Sequence, residues 1–128
     1  MNRNRKIFLG YSESDELTRV GEKKKRQGYV VGKEPHAGEV RVYNALTQNP
    51  KRVILEGGSL NACLAIAARL ALDNGAKQVI IDLNRCRADV DDTPKNPRSL
   101  TQRGAILRDN LPERIKNDLR LIIRPKTV

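Results

Sequence analysis

Cys63 is the residue whose setting points most directly to covalent chemistry. It follows the turn Glu56-Gly57-Gly58-Ser59 and stands in the first turn of an alanine-rich stretch that reads as a helix. A helix N-terminus carries partial positive charge, which favours the thiolate, the nucleophilic form of cysteine. Lys33, at the end of a neighbouring strand, would add a second positive charge and act as the catalytic partner. The same cysteine has a plainer reading, as a small apolar side chain packed inside a helix. Gly57, Gly58 and Ser59 would let a backbone approach a ligand closely, with helix-start amides aimed at an anion or a carbonyl. They would serve equally as a tight connection from strand to helix. Asn61 and Asp82, the latter ending a later strand, complete the candidate ligand-binding set. His36, beside Pro35, reads as a proton donor or acceptor, or as a solvated loop residue. Cys86 follows a strand but has no helix N-terminus to activate it.

These residues need a scaffold, and the hydrophobic pattern predicts one. Short apolar runs at residues 6–11, 29–31, 52–55, 79–81 and 119–123 read as strands. The runs at 53–55 and 79–81 are continuous rather than alternating, which predicts interior strands of a parallel sheet. Helical patterns lie between them. Ser14 with Asp15 and Glu16 marks one start, Val40 to Leu46 gives a short amphipathic segment, and residues 60–74 form the longest, ended by Gly75. Ser99 caps a fourth helix, running to Leu107. Residues 84–98 read as a loop carrying Asp89, Asp91, Asp92, Pro94 and Pro97, long enough to be functional or mobile. Strands alternating with helices predict one α/β domain over residues 1–128. It should be a three-layer fold, with a mostly parallel sheet of about five strands and helices on both faces. In such sheets ligands bind beyond the carboxyl ends of the strands.

Composition narrows the function classes. The chain has 128 residues and a formal net charge of +10. Two cysteines, one histidine and no CxxC pair argue against a zinc site, and no motif calls for a cofactor. No apolar stretch approaches the ~20 residues that span a bilayer. The expectation is a cytoplasmic protein with reduced thiols, self-association remaining open. The positive charge makes nucleic acid or another polyanion a candidate partner. Lys23, Lys24, Lys25 and Arg26 are the main residues for that role, with Arg120 and Arg124 as weaker ones.

The segment Val53-Ile54-Leu55-Glu56-Gly57-Gly58-Ser59-Leu60-Asn61-Ala62-Cys63-Leu64, continued by Ala71, Gly75 and Val79-Ile80-Ile81-Asp82, resembles the nucleophile segment of isochorismatase-like cysteine hydrolases, the group that includes nicotinamidases. The likeness runs from about Tyr29 to Ala88 and places Lys33 where that family has a lysine. It implies a cysteine-dependent hydrolase of a small amide or ester, or a degenerate relative that only binds. The aspartate ending the family's first strand has no counterpart, since Gly10-Tyr11-Ser12 stands there and Asp15 comes later. Two rival readings remain: a Rossmann-like domain holding a nucleotide or phosphorylated ligand at Gly57-Gly58-Ser59 without chemistry, and a basic module for nucleic acid.

Overall fold

The computed structural model describes residues 4–125. Its centre is a sheet of five parallel strands: β1 (Asn4–Leu9), β2 (Val30–Val31), β3 (Arg52–Gly58), β4 (Gln78–Arg87) and β5 (Leu121–Arg124), in the order β2-β1-β3-β4-β5. The α/β class, the parallel sheet and the interior positions of β3 and β4 are as expected. Five helices connect or follow the strands: α1 (Asp15–Arg26), α2 (Val40–Thr47), α3 (Cys63–Asp73), α4 (Leu100–Asp109) and the single turn α5 (Glu113–Lys116).

Local chemistry sets the helix ends. The Ser14 hydroxyl accepts from the Leu17 amide at 3.1 Å, Asp15 and Glu16 occupy the first turn of α1, and four basic residues fill its last. Both charge groups complement the helix dipole. Ser99 and Gln102 close a reciprocal capping box on α4. The alanines of α3 bring its backbone close to the sheet, where Leu64, Ala65, Ala67, Ala68, Ala71 and Leu72 are buried.

Strand alternation sorts the two faces. Ile7 and Leu9 join Val53, Leu55, Val79 and Ile81 in the main core, packed with α2, α3, Leu107 of α4 and Ile115 of α5. Phe8 points the other way, into a smaller cluster with Leu17 and Val20 of α1 and with Tyr29. Helices therefore cover both faces: α2, α3, α4 and the turn α5 on one, α1 alone on the other. The connections explain this. The chain moves one way from β1 to β2 and the opposite way from β2 through β5, and right-handed crossovers then place α1 apart from α2, α3 and α4. The order reverses between β1 and β3, which is where open α/β sheets leave a crevice at the carboxyl edge.

Several boundaries differ from the sequence reading. Gly57 and Gly58 extend β3 rather than forming a turn, and α3 starts at Cys63, three residues later than expected. β4 continues to Arg87 through residues predicted as loop, and β5 starts at Leu121, leaving Leu119 exposed.

Candidate functional site

The strongest irregularity of the sheet lies at Glu56. Leu55 pairs with Ile81 and Gly57 with Cys86, so Glu56 alone stands opposite the four β4 residues Asp82 to Arg85. Such a bulge bends the strand and re-aims its side chains. Glu56 is almost fully buried, with its side chain 3% exposed. An unpaired carboxylate there would cost several kcal/mol. Lys24 from α1 brings its Nζ to 2.7 Å of Oε1, and the Tyr29 hydroxyl donates to Oε2 at 2.7 Å. The Lys24 ammonium also lies 4.7 Å from the centre of the Tyr29 ring. Burial, then the neighbouring Glu56 carboxylate, raises the Tyr29 phenol above its ordinary range. The second cation is Arg85, carried over Glu56 by the bulge. Its guanidinium stays 3.8 Å from Glu56 and 3.6 Å from Asp82, beyond hydrogen-bond length, with 57% of the side chain exposed.

A cleft of about 350 Å³ opens over this cluster. Phe8, Leu17, Val20 and Cys86 supply apolar lining, while Glu16, Lys24, Glu56, Asn84, Arg85 and Arg87 supply polar groups. The far wall is the segment after β4, and it is firmly held. Asp92 is buried, accepts from the Ala88 and Arg98 amides at 2.8 Å each, and takes both arms of Arg103 at 2.9 and 3.1 Å. Arg103 also donates to the Leu83 carbonyl, and Arg98 reaches Asp89. Burial pulls the Asp92 pKa upward, but the hydrogen bonds from Arg103, Arg98 and Ala88 outweigh it and leave the carboxyl below its usual range. Much of the predicted loop is thus strand followed by a hydrogen-bonded wall.

The candidate residues from the sequence have different surroundings. Cys63 is half-buried at the first position of α3. Its thiol is raised, not lowered: burial acts first, followed by the Glu13 and Glu34 carboxylates. The charges bearing on it are therefore negative, and Lys33 is not among them. Glu34 also holds His36, Nε2 to Oε2 at 2.8 Å, in an exposed pair. Four amides at the approach to α3 are occupied from within. Leu60 and Asn61 donate to the carbonyls of Arg87 and Ala88, and Ala62 and Leu64 both donate to the Ser59 carbonyl. Gly57 is required by packing, because a Cβ there would lie 2.1 Å from the Leu9 carbonyl oxygen and its φ is +97°. At Gly58 a Cβ would meet Leu17 at an ordinary 3.5 Å, so that position does not demand glycine for space. The Gly58–Ser59 peptide is cis. Asp82 accepts from the Asn84 amide, and Cys86 is buried within β4 with its thiol pushed far up, chiefly by burial.

The basic run also divides. Lys24 turns inward to Glu56, and Lys25 pairs with Glu22 and lies over the Tyr11 ring, whose hydroxyl donates to Glu22. Lys23 and Arg26 remain exposed. Arg120 is bound to Asp118 and to the carbonyls of Leu72 and Ala76. Sequence reasoning missed Glu56, Arg85 and Glu13 as site residues. Only Glu56 left a signal, a lone charge inside an apolar strand run.

Among the described residues no group of three or more His, Cys, Asp or Glu is placed to hold a metal ion. No described helix is long and apolar enough to cross a membrane. Compared with protein-family models, with curated proteins and with solved structures, the chain matches none.

Proposed function

We propose that this domain binds a small anionic molecule in the cleft between α1 and the segment following β4. The observation that carries the reading is Arg85, whose donors make no hydrogen bond among the described residues, at the mouth of a partly apolar cleft, above a carboxylate already neutralised by Lys24. A ligand carboxylate or phosphate would meet the Arg85 fork, with Asn84 and Arg87 beside it. An apolar or aromatic body would lie against Phe8, Leu17 and Val20. The volume suits a molecule of small-metabolite size. Thermal-shift screening with small carboxylates and phosphates tests this. Hits should lose affinity by about tenfold in Arg85→Gln, the scale of one charge-assisted contact, and keep it in Cys63→Ala. Affinity that survives Arg85→Gln and falls in Cys63→Ala would reject the cleft as the site.

A second reading is favoured by one observation, that the Glu13 carboxylate just past β1 bears on Cys63. The isochorismatase-like hydrolases have their base at the end of that strand. Glu13 would take the thiol proton as sulfur attacks the carbonyl carbon of a small amide or ester, then give it to the leaving group. Water would hydrolyse the resulting thioester. Because the thiol is raised, iodoacetamide should label Cys63 in the folded protein with an inflection above the ordinary cysteine value, near 9. Glu13→Gln should lower that inflection while abolishing ester turnover. A thiol inert until the protein unfolds would return Cys63 to packing alone.

A further inference from the structure

Part of the basic charge that the cleft does not use lies at the amino edge of the sheet. α1 runs back from the carboxyl edge, so its last turn brings Lys23 and Arg26 to this end. Arg5 lies at the start of β1, Lys51 immediately precedes β3, and Lys77 immediately precedes β4. The register Asn4–Arg52–Gln78 places these three strand starts side by side. Strands in a sheet lie about 4.8 Å apart. Lys51 and Lys77 are joined through their backbones and line a groove of about 240 Å³ with Asn49, Pro50 and Gly75. Lys23, Arg26, Lys51 and Lys77 are exposed, and none of them forms an ion pair among the described residues.

The carboxylates of the same end do not cancel this charge. Asp73 is held by Arg114, Asp118 by Arg120, Glu113 by Lys116 and Glu22 by Lys25. Asp109, closing α4, is the exception among the described residues. Unpaired acids concentrate instead at the carboxyl edge, where Glu13, Asp15 and Glu16 stand around the start of α1.

We infer that the amino edge is a docking surface for the phosphate backbone of duplex nucleic acid, bound without regard to sequence. The pattern suits a polyphosphate better than a protein. A protein interface draws its affinity from clustered apolar and aromatic anchors, and this end offers one lone aliphatic side chain, Leu119 before β5; Val40, Ile66 and Val90 lie elsewhere. Nor is there an exposed aromatic residue in the stripe on which unpaired bases would stack. Several exposed cations facing a single free carboxylate, Asp109, are a pattern that counterion release can use. Of the basic residues singled out in the sequence, Lys23 and Arg26 belong to this surface, Lys24 and Lys25 are engaged in the fold, and Arg124 closes β5 at the opposite edge.

Fluorescence anisotropy with a labelled duplex of about 20 base pairs, titrated over a range of salt, tests the surface. Five phosphates neutralised by Arg5, Lys23, Arg26, Lys51 and Lys77 predict a log–log salt slope of about −4.5. The double reversal Lys51→Glu with Lys77→Glu should weaken binding at least about tenfold and flatten that slope by about 2. The matched double Arg41→Glu with Lys95→Glu makes the same change in net charge at exposed positions away from the amino edge and should weaken binding far less. Three results would overturn the inference: no binding at the lowest salt, equal weakening by the two doubles, or tighter binding of poly-glutamate than of duplex. Circular dichroism of each double confirms that the comparison is made between folded proteins.

Discussion

Glu56 shows how one residue can organise a site. A carboxylate in the middle of a parallel sheet is tolerated because α1 lends it Lys24 and the start of β2 lends it Tyr29. Removing one partner from a buried pair leaves the other uncompensated, and the loss exceeds the net worth of the pair. Lys24→Met should therefore destabilise the fold by about 3 kcal/mol in denaturant unfolding. Adding Glu56→Gln should recover most of it, because the amide still accepts from Tyr29 and carries no charge. If the double is no better than Lys24→Met alone, the lysine contributes through packing of its stem and not through charge. This cluster was only partly legible in the sequence. Glu56 interrupts the run Val53-Ile54-Leu55, which is a readable anomaly, but nothing local ties it to a lysine 32 positions earlier. Cys63 was conspicuous for the opposite reason. Its local setting suggested activation, while the charges that reach it, Glu13 and Glu34, arrive from distant loops.

At the scale of elements, the hydrophobic runs named the strands correctly but not their ends. Residues 84–87 are mostly polar because they form a bulge and its exit, where Asn84, Arg85 and Arg87 border a cleft and Cys86 packs in the core, so period and composition both read as loop. Gly57 and Gly58 read as a turn because strands rarely carry paired glycines, yet Gly57 is there to let β1 and β3 approach. The segment after β4 owes its order to Asp92. Its carboxyl is held below the ordinary range, so the folded state binds fewer protons there than the unfolded state does. That contribution to stability is present above the unfolded carboxylate pKa, near 4, and is lost as pH falls through the lower folded value. Asp92→Asn should reduce stability at neutral pH by about 2 kcal/mol and flatten the acid side of the stability profile, measured by urea unfolding from neutral pH downward. An unchanged acid limb in Asp92→Asn would show that the wall is held by other contacts.

For the molecule as a whole, alternation of strands and helices announced an α/β fold, but the order β2-β1-β3-β4-β5 had no local signal, since pairing partners are chosen by crossover direction. That order places the reversal between β1 and β3, and the cleft opens beside it, bordered by Phe8 and Gly57. It also gives the two edges of the sheet different tasks: the carboxyl edge carries the cleft and most unpaired acids, the amino edge the stripe of Lys23, Arg26, Lys51 and Lys77. The central claim is that the cleft beside Glu56, and not the start of α3, receives the ligand. Amide chemical-shift mapping during titration with small aromatic carboxylates and phosphates tests it most directly. The account predicts saturable shifts centred on Phe8, Gly57, Asn84, Arg85 and Arg87; shifts confined to Glu13, Ser59, Asn61 and Cys63, with Arg85 unmoved, would contradict it.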